Sequence, residues 1–269
     1  MMNAIDELWV MEESVTNSRS VNLVSAPVSN INQLQRVLVA ADQNLPKEVV
    51  TFSMLFRGQD ADLPLSPKGL SGNVSAKERA LKRMVAVCRN AVGGERTDNE
   101  IYFMMRHAGL PSHLIDWSWQ WEVALWFAIH SGDGCLKSEQ ASLWVLRPLM
   151  RDFNGDTIDG RFIRPVFFRA DQHTCERSLR QDGSAYMIRF ECEDDDFRPL
   201  PMNYDPNYRE RLLRIPLTEE LCNTKIETEL ISRRPDITKL LSDPGPIPPS
   251  AVKECFDIFN SVEQDKGVT

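Results

Sequence analysis

The sequence predicts an α+β protein, with a single main domain built on a mixed, mostly antiparallel sheet flanked by helices. Helical periodicity dominates the first half of the chain and short strand patterns the second, without the repeated alternation of βαβ units. No GxGxxG follows a strand pattern and no GxxxxGK(S/T) occurs, so Rossmann and P-loop readings fail. At 269 residues and 42% hydrophobic composition, the chain can bury a substantial core without disulfide or metal staples. The expected divisions are an N-terminal extension with one helix (1–45), the main domain (46–243), and a linker with a terminal helix (244–269).

Asn30 can cap a helix that places Ile31, Leu34, Leu38 and Ala41 on one face, with Lys47 closing the unit. Residues 49–56, VVTFSMLF, are β-branched and aromatic and read as a buried strand ending at Arg57–Gly58–Gln59. The Pro- and Gly-rich stretch 60–73 reads as a loop. Ser75 and Glu78 form a capping-box pattern for a helix to about Val92, striped by Leu81, Met84, Val85 and Cys88 and stopped by Gly93–Gly94. Thr97 and Glu100 form a second, followed by Ile101, Met104, Met105 and Ala108 on one face, with Gly109 and Pro111 ending the helix.

Ser118 is the expected cap of the next helix, with Val123, Ala124, Phe127 and Ala128 inward. Residues 142–146 read as a strand, and 165–169, 185–190 and 212–216 as further short strands. Residues 217–222 and 236–241 look helical. A last helix is expected over 251–260, behind the stiff linker PGPIPPS.

The net charge of −8 disfavours general nucleic-acid binding, whose affinity comes mainly from cationic contacts to phosphate. Arg209, Arg211, Arg214, Arg233 and Arg234 cluster in sequence, which leaves a local basic patch open beside the plainer reading of solvated arginines on exposed faces. The six cysteines show neither zinc-knuckle nor thioredoxin spacing. The first thirteen residues are acidic and lack an apolar signal core, and no apolar run is long enough to span a bilayer. The expectation is a reduced, cytoplasmic protein with free thiols and no membrane partner.

The chemically richest stretch is residues 101–130. It places four of the six tryptophans within ten residues (Trp117, Trp119, Trp121, Trp126), with His107, His113, His130 and Asp116 in an otherwise apolar run. A buried carboxylate needs hydrogen bonds or a charge partner, and a buried indole needs an acceptor. Such a segment is a polar-lined pocket or a heavily hydrogen-bonded corner. Asp116 could accept from His107, from His113 or from indole N–H groups. Too few ligands lie together for a metal site, and none is expected. Arg57, just past the predicted strand, can aim its guanidinium at phosphate or carboxylate, and Gly58 permits close backbone approach. Gln181, before the strand pattern SAYMIRF, lines a pocket or belongs to a turn.

Three segments together resemble a known family: FRGQ at 56–59, RHAGLPSHLIDWSWQWEVALWFA at 106–128, and RQDGSAYMI at 180–188. They are similar to the FRG domain, named for its Phe-Arg-Gly motif, over roughly 49–243. This chain departs from the family pattern at Arg106, where Gln is usual, at Ser112–His113, where Thr-Arg is usual, and at Asp182, where a second Gln is usual. The family pattern in turn resembles a distant ADP-ribosyltransferase-like fold. That resemblance implies NAD as ligand, with loss of nicotinamide and transfer of ADP-ribose to an acceptor such as a protein, in a toxin or phage-defence setting. Under it, Arg57, Asp116, Gln181 and His107 are the catalytic candidates, and Arg57, Gly58, Gln59, His113, Trp117 and Ser118 would contact the nucleotide. Two other classes stay open: a non-catalytic nucleotide- or protein-binding module, which Gln181 in place of Glu favours, and an unrelated hydrolase using the same His and Asp.

Overall fold

The computed structural model describes residues 9–11, 22–24, 26–47, 52–61, 63–67, 74–112, 114–130, 141–153, 157–158, 161–162, 166–169, 183–187, 202–205, 208–240 and 245–264. In chain order the regular elements are β1 (Trp9–Met11), β2 (Asn22–Val24), α1 (Ile31–Asn44), β3 (Leu55–Gln59), α2 (Val74–Val92), α3 (Asp98–His107), β4 (Leu114–Ser118), α4 (Trp121–Ile129), β5 (Ser142–Leu146) and α5 (Met150–Phe153). They continue with β6 (Thr157–Ile158), β7 (Arg161–Phe162), β8 (Val166–Arg169), β9 (Gly183–Met187), β10 (Leu212–Pro216), α6 (Thr224–Arg233) and α7 (Pro249–Gln264). The α+β class is as the sequence predicts. The chain divides into two compact units interleaved in sequence.

The first unit comprises Met1–Leu65, Trp117–Phe153 and Leu200–Leu240. Its strands lie in the order β1-β2-β10-β5-β3-β4. The neighbouring strands pair antiparallel except β2 with β10, which is parallel, so the sheet is mixed and mostly antiparallel. Phe56, Leu143, Val145, Leu213 and Ile215 turn one face of the sheet into a core with α1, α4 and α6. Alternation along each strand sends their neighbours to the other face.

Helix α1 begins where Asn30 accepts a hydrogen bond from the Gln33 amide at 2.9 Å, as the sequence predicts. Helix α4 is apolar almost all round, which suits an element buried on several sides. Its predicted cap, Ser118, instead ends β4. Gln120 is the N-cap residue and makes no side-chain cap bond. The predicted strand 49–56 is displaced toward the C-terminus: the paired segment is Leu55–Gln59, in register with Leu146–Ser142 of β5. The ladder with β5 takes in Arg57–Gly58–Gln59, which sequence reasoning placed beyond the strand. The helices expected at 217–222 and 236–241 are 3-10 turns, Glu219–Leu221 and Pro235–Leu240.

The second unit comprises Ser66–Asp116, Asn154–Pro199 and Leu241–Thr269. Helix α2 packs against α3 and α7. Leu81, Met84 and Cys88 of α2, Ile101, Met104 and Met105 of α3, and Ala251, Cys255 and Phe259 of α7 are buried. Because α2 starts at Val74, Ser75 lies inside its first turn rather than capping it. The Thr97–Glu100 capping box is present in full: the Glu100 amide donates to Thr97 Oγ1 at 3.3 Å, and the Thr97 amide donates to Glu100 Oε2 at 2.7 Å. Strands β8 and β9 pair antiparallel, as do β6 and β7.

Candidate functional site

Strand β3 carries Leu55, Phe56, Arg57, Gly58 and Gln59 beside β5. Phe56 joins the helix-covered core. By alternation Gly58 shares that face and Arg57 the opposite one. Gly58 is dictated by packing: a Cβ there would lie 1.8 Å from the Ala124 carbonyl oxygen and 2.5 Å from the Ala128 amide nitrogen. The backbone that approaches Gly58 closely is therefore that of helix α4, one turn of which is made slim by Ala124 and Ala128. Gln59 is buried and both ends of its amide are engaged, accepting from the Trp144 indole at 2.8 Å and donating to the Leu63 carbonyl at 2.9 Å. Ser118, also buried, accepts from the Gln120 amide at 3.0 Å.

Arg57 pairs across the ladder with Trp144, and Trp144 pairs on its other side with Arg214 of β10. Directly paired residues share a face, so Arg57, Trp144 and Arg214 form one row across three adjacent strands, on the face away from the helical core. The Arg214 guanidinium lies 5.7 Å from the Trp144 ring centroid, and its Nε donates to Ser142 Oγ at 3.1 Å. The two arginines stand two strand spacings apart, about 10 Å between backbones. Trp144 itself is buried, at 2% exposure, and the two arginines are half-buried. Phe56 pairs with Ser118 of β4, so the pleat turns Trp117 to the Arg57 face.

Trp119 stacks on Phe153, with ring centroids 6.5 Å apart and planes at 11°. Trp126 stacks on His130 at 3.9 Å. His130 is a buried strut, its Nδ1 2.9 Å from the Trp126 carbonyl oxygen and its Nε2 3.2 Å from Glu227 of α6. The aromatic segment is thus partly a corner that ties α4 to its neighbours.

In the second unit, His107 is the last residue of α3 and is buried. One residue earlier, Arg106 Nε donates to Asp116 Oδ2 at 2.7 Å. The side chains remain 25% and 39% exposed, so the ion pair is open to water. The expected partners of Asp116 were histidines and indoles. The geometry adds an arginine from the end of the preceding helix. His113 and Gln181 lie outside the described residues.

Trp144 and Arg214 of this row are not among the candidate site residues that the sequence offers. The available signal was a charged residue in the middle of the apolar strand LLRIP, a position that one-sided burial makes costly unless the other face has use for it.

The fold and this basic, aromatic row define an α+β protein with a candidate anion-binding sheet face. The family model of the FRG domain matches residues 53–134, a span that holds Arg57–Gly58–Gln59, the Asp116–Trp117–Ser118 segment and the Ala124–Ala128 turn of α4. No curated protein and no solved structure matches the chain. No helix among the described residues is long and apolar enough to cross a membrane, and no cluster of three or more His, Cys, Asp or Glu among them could hold a metal.

Proposed function

We propose that the chain binds NAD, or a nucleotide of the same pyrophosphate chemistry, on the sheet face that carries Arg57, Trp144 and Arg214, and acts on it as an ADP-ribosyltransferase-like or NAD-cleaving effector. The supporting observation is the row itself: two guanidiniums flanking an indole within one sheet. Guanidinium forks suit the paired phosphates of a dinucleotide. The local positive charge runs against a net charge of −8, which argues for a selected anion.

In the reaction, the bond between the ribose C1′ and the nicotinamide nitrogen breaks and nicotinamide leaves as a neutral base. Water or an acceptor nucleophile then adds to C1′ and gives up a proton. A carboxylate would steady the positive charge that develops on the ribose, and Asp116 is our candidate. His107 is the candidate base, and Gln181 a hydrogen-bonding partner for ribose.

A second reading, nucleotide binding without turnover, is favoured by the Arg106–Asp116 ion pair at 2.7 Å, which neutralises the candidate carboxylate. Incubation with NAD and measurement of free nicotinamide separates the two. Release that is lost in Arg57→Ala and Asp116→Ala, with melting temperatures nearly unchanged, supports the enzyme. Binding of NAD without release supports the module. No binding of NAD or ADP-ribose in either assay rejects the nucleotide reading. Growth arrest on expression, relieved by Arg57→Ala, would support an effector role.

A further inference from the structure

We infer that Cys88 and Cys255 form a redox-modification site, a buried dithiol that a peroxide converts to a disulfide locking the terminal helix α7 onto α2. The inference is independent of the nucleotide reading.

The two sulfur atoms lie 3.5 Å apart across the α2–α7 packing, and both residues are fully buried. Neither helix has another cysteine among the described residues, so the pairing is unambiguous within this packing. The hydrogen-bond directions are consistent along a chain: Cys255 Sγ donates to the Met84 carbonyl at 3.8 Å, which leaves the Cys88 thiol to donate to Cys255. A disulfide needs the sulfurs at about 2.0 Å, so they must close by about 1.5 Å. Rotation about side-chain bonds can supply that without moving the helices apart. Phe259, one turn beyond Cys255, packs beneath Lys77 of α2 at 5.2 Å and holds the two helices in register.

The pair is also differentiated electronically. The hydrogen bond from Cys88 holds the Cys255 thiol below the ordinary thiol range. The same contact, with burial, pushes Cys88 well above it. Cys255 is therefore the attacking sulfur and Cys88 the resolving one. The Cys255 thiolate attacks one oxygen of hydrogen peroxide, the O–O bond breaks, and hydroxide leaves to take up the released proton. Cys88 sulfur then attacks the resulting sulfenic sulfur, the S–O bond breaks, and the hydroxyl departs as water with the Cys88 proton. Two thiols lose two electrons and one peroxide becomes two waters. Cys222, by contrast, is buried in the first unit with its thiol pushed up to about 11 by burial, and it has no sulfur neighbour among the described residues.

The new bond would close a loop between positions 167 residues apart, which constrains the unfolded chain strongly. The test is oxidation of the intact native protein with hydrogen peroxide, alkylation of remaining thiols in denaturant, and peptide mapping by mass spectrometry. The expected result is one dominant linked peptide pair, Cys88 to Cys255, that disappears on reduction and is absent from both Cys88→Ala and Cys255→Ala. The oxidised protein should melt several degrees higher than the reduced one. Recovery of Cys88 and Cys255 as separately alkylated thiols while other cysteines oxidise would overturn the inference. So would their appearance in scrambled pairs no more abundant than in protein oxidised in urea. The wild-type map decides the matter even if a variant fails to fold.

Discussion

Arg57 and Arg214 are the residues on which the proposed nucleotide site turns, and each makes a specific forecast. Arg214→Ala removes a guanidinium from the Trp144 row and should cost about 1.5–3 kcal/mol of nucleotide binding, roughly ten- to hundredfold in Kd. Titration calorimetry with ADP-ribose measures it, and an unchanged Kd would remove Arg214 from the site. Arg57 was legible from the sequence because an arginine beside a glycine follows an apolar strand pattern. Arg214 was not, because five arginines within a short stretch read as solvent-facing until the pairing with β5 fixes which face each occupies. Gln59 and Ser118 entered the candidate site only through the family resemblance. Their hydrogen bonds to Trp144, Leu63 and Gln120 show that a polar side chain in a core can be spent entirely on its own fold. Asp152 and Arg211 give the starkest case. They form a buried, two-pronged ion pair, with Arg211 Nη2 donating to Asp152 Oδ1 at 2.9 Å and side chains 5% and 4% exposed. Asp152→Ala should destabilise the protein by about 3–5 kcal/mol in denaturant titration, since it strands a buried guanidinium.

At the scale of elements, the contact of α4 with β3 explains why two short motifs some sixty-five positions apart belong together. Gly58 gives α4 its seat, and Ala124 and Ala128 bring the helix backbone down onto it. Gly58→Ala should cost about 3 kcal/mol or more, at the top of the range for overpacking, because the obstacle is backbone and cannot rotate away. Denaturant midpoints test this, and a loss under 1 kcal/mol would mean that α4 shifts freely. Helices with strong local signals were legible: Asn30 and the Thr97–Glu100 box mark the starts of α1 and α3 as read. Strand β4 was hidden because its Asp and Trp residues mask the alternation. Helix α6 was overlooked although Asn223 caps it and Ile226 and Leu230 stripe its inner face. The strand near FRGQ was placed too early, since β-branched content marked its start, whereas register with β5 decides where pairing occurs.

For the whole molecule, acid sensitivity follows from carboxylates held in ionised form. The hydrogen bond from Arg147 to Asp42 keeps that carboxyl below its ordinary 3.8, with burial opposing. The Thr97 amide similarly keeps Glu100 below 4.5. A carboxyl whose folded-state value is depressed contributes stability above its unfolded value and loses it as pH falls through the folded one. Stability should therefore decline below about pH 4, and Asp42→Asn should remove part of that slope while lowering stability at neutral pH. Asp42 is 54% exposed, so water screens the effect and a modest change is expected. A slope unaffected by Asp42→Asn would assign the acid limb elsewhere.

The most direct measurement of the central claim is calorimetric binding of ADP-ribose and of adenosine to the intact protein, in wild type and in Arg57→Ala and Arg214→Ala, at two salt concentrations. ADP-ribose should bind, adenosine should bind far more weakly, and each arginine variant and added salt should reduce the difference. Equal binding of the two ligands, or none, or affinity untouched by loss of both guanidiniums, would contradict a pyrophosphate site on this sheet face.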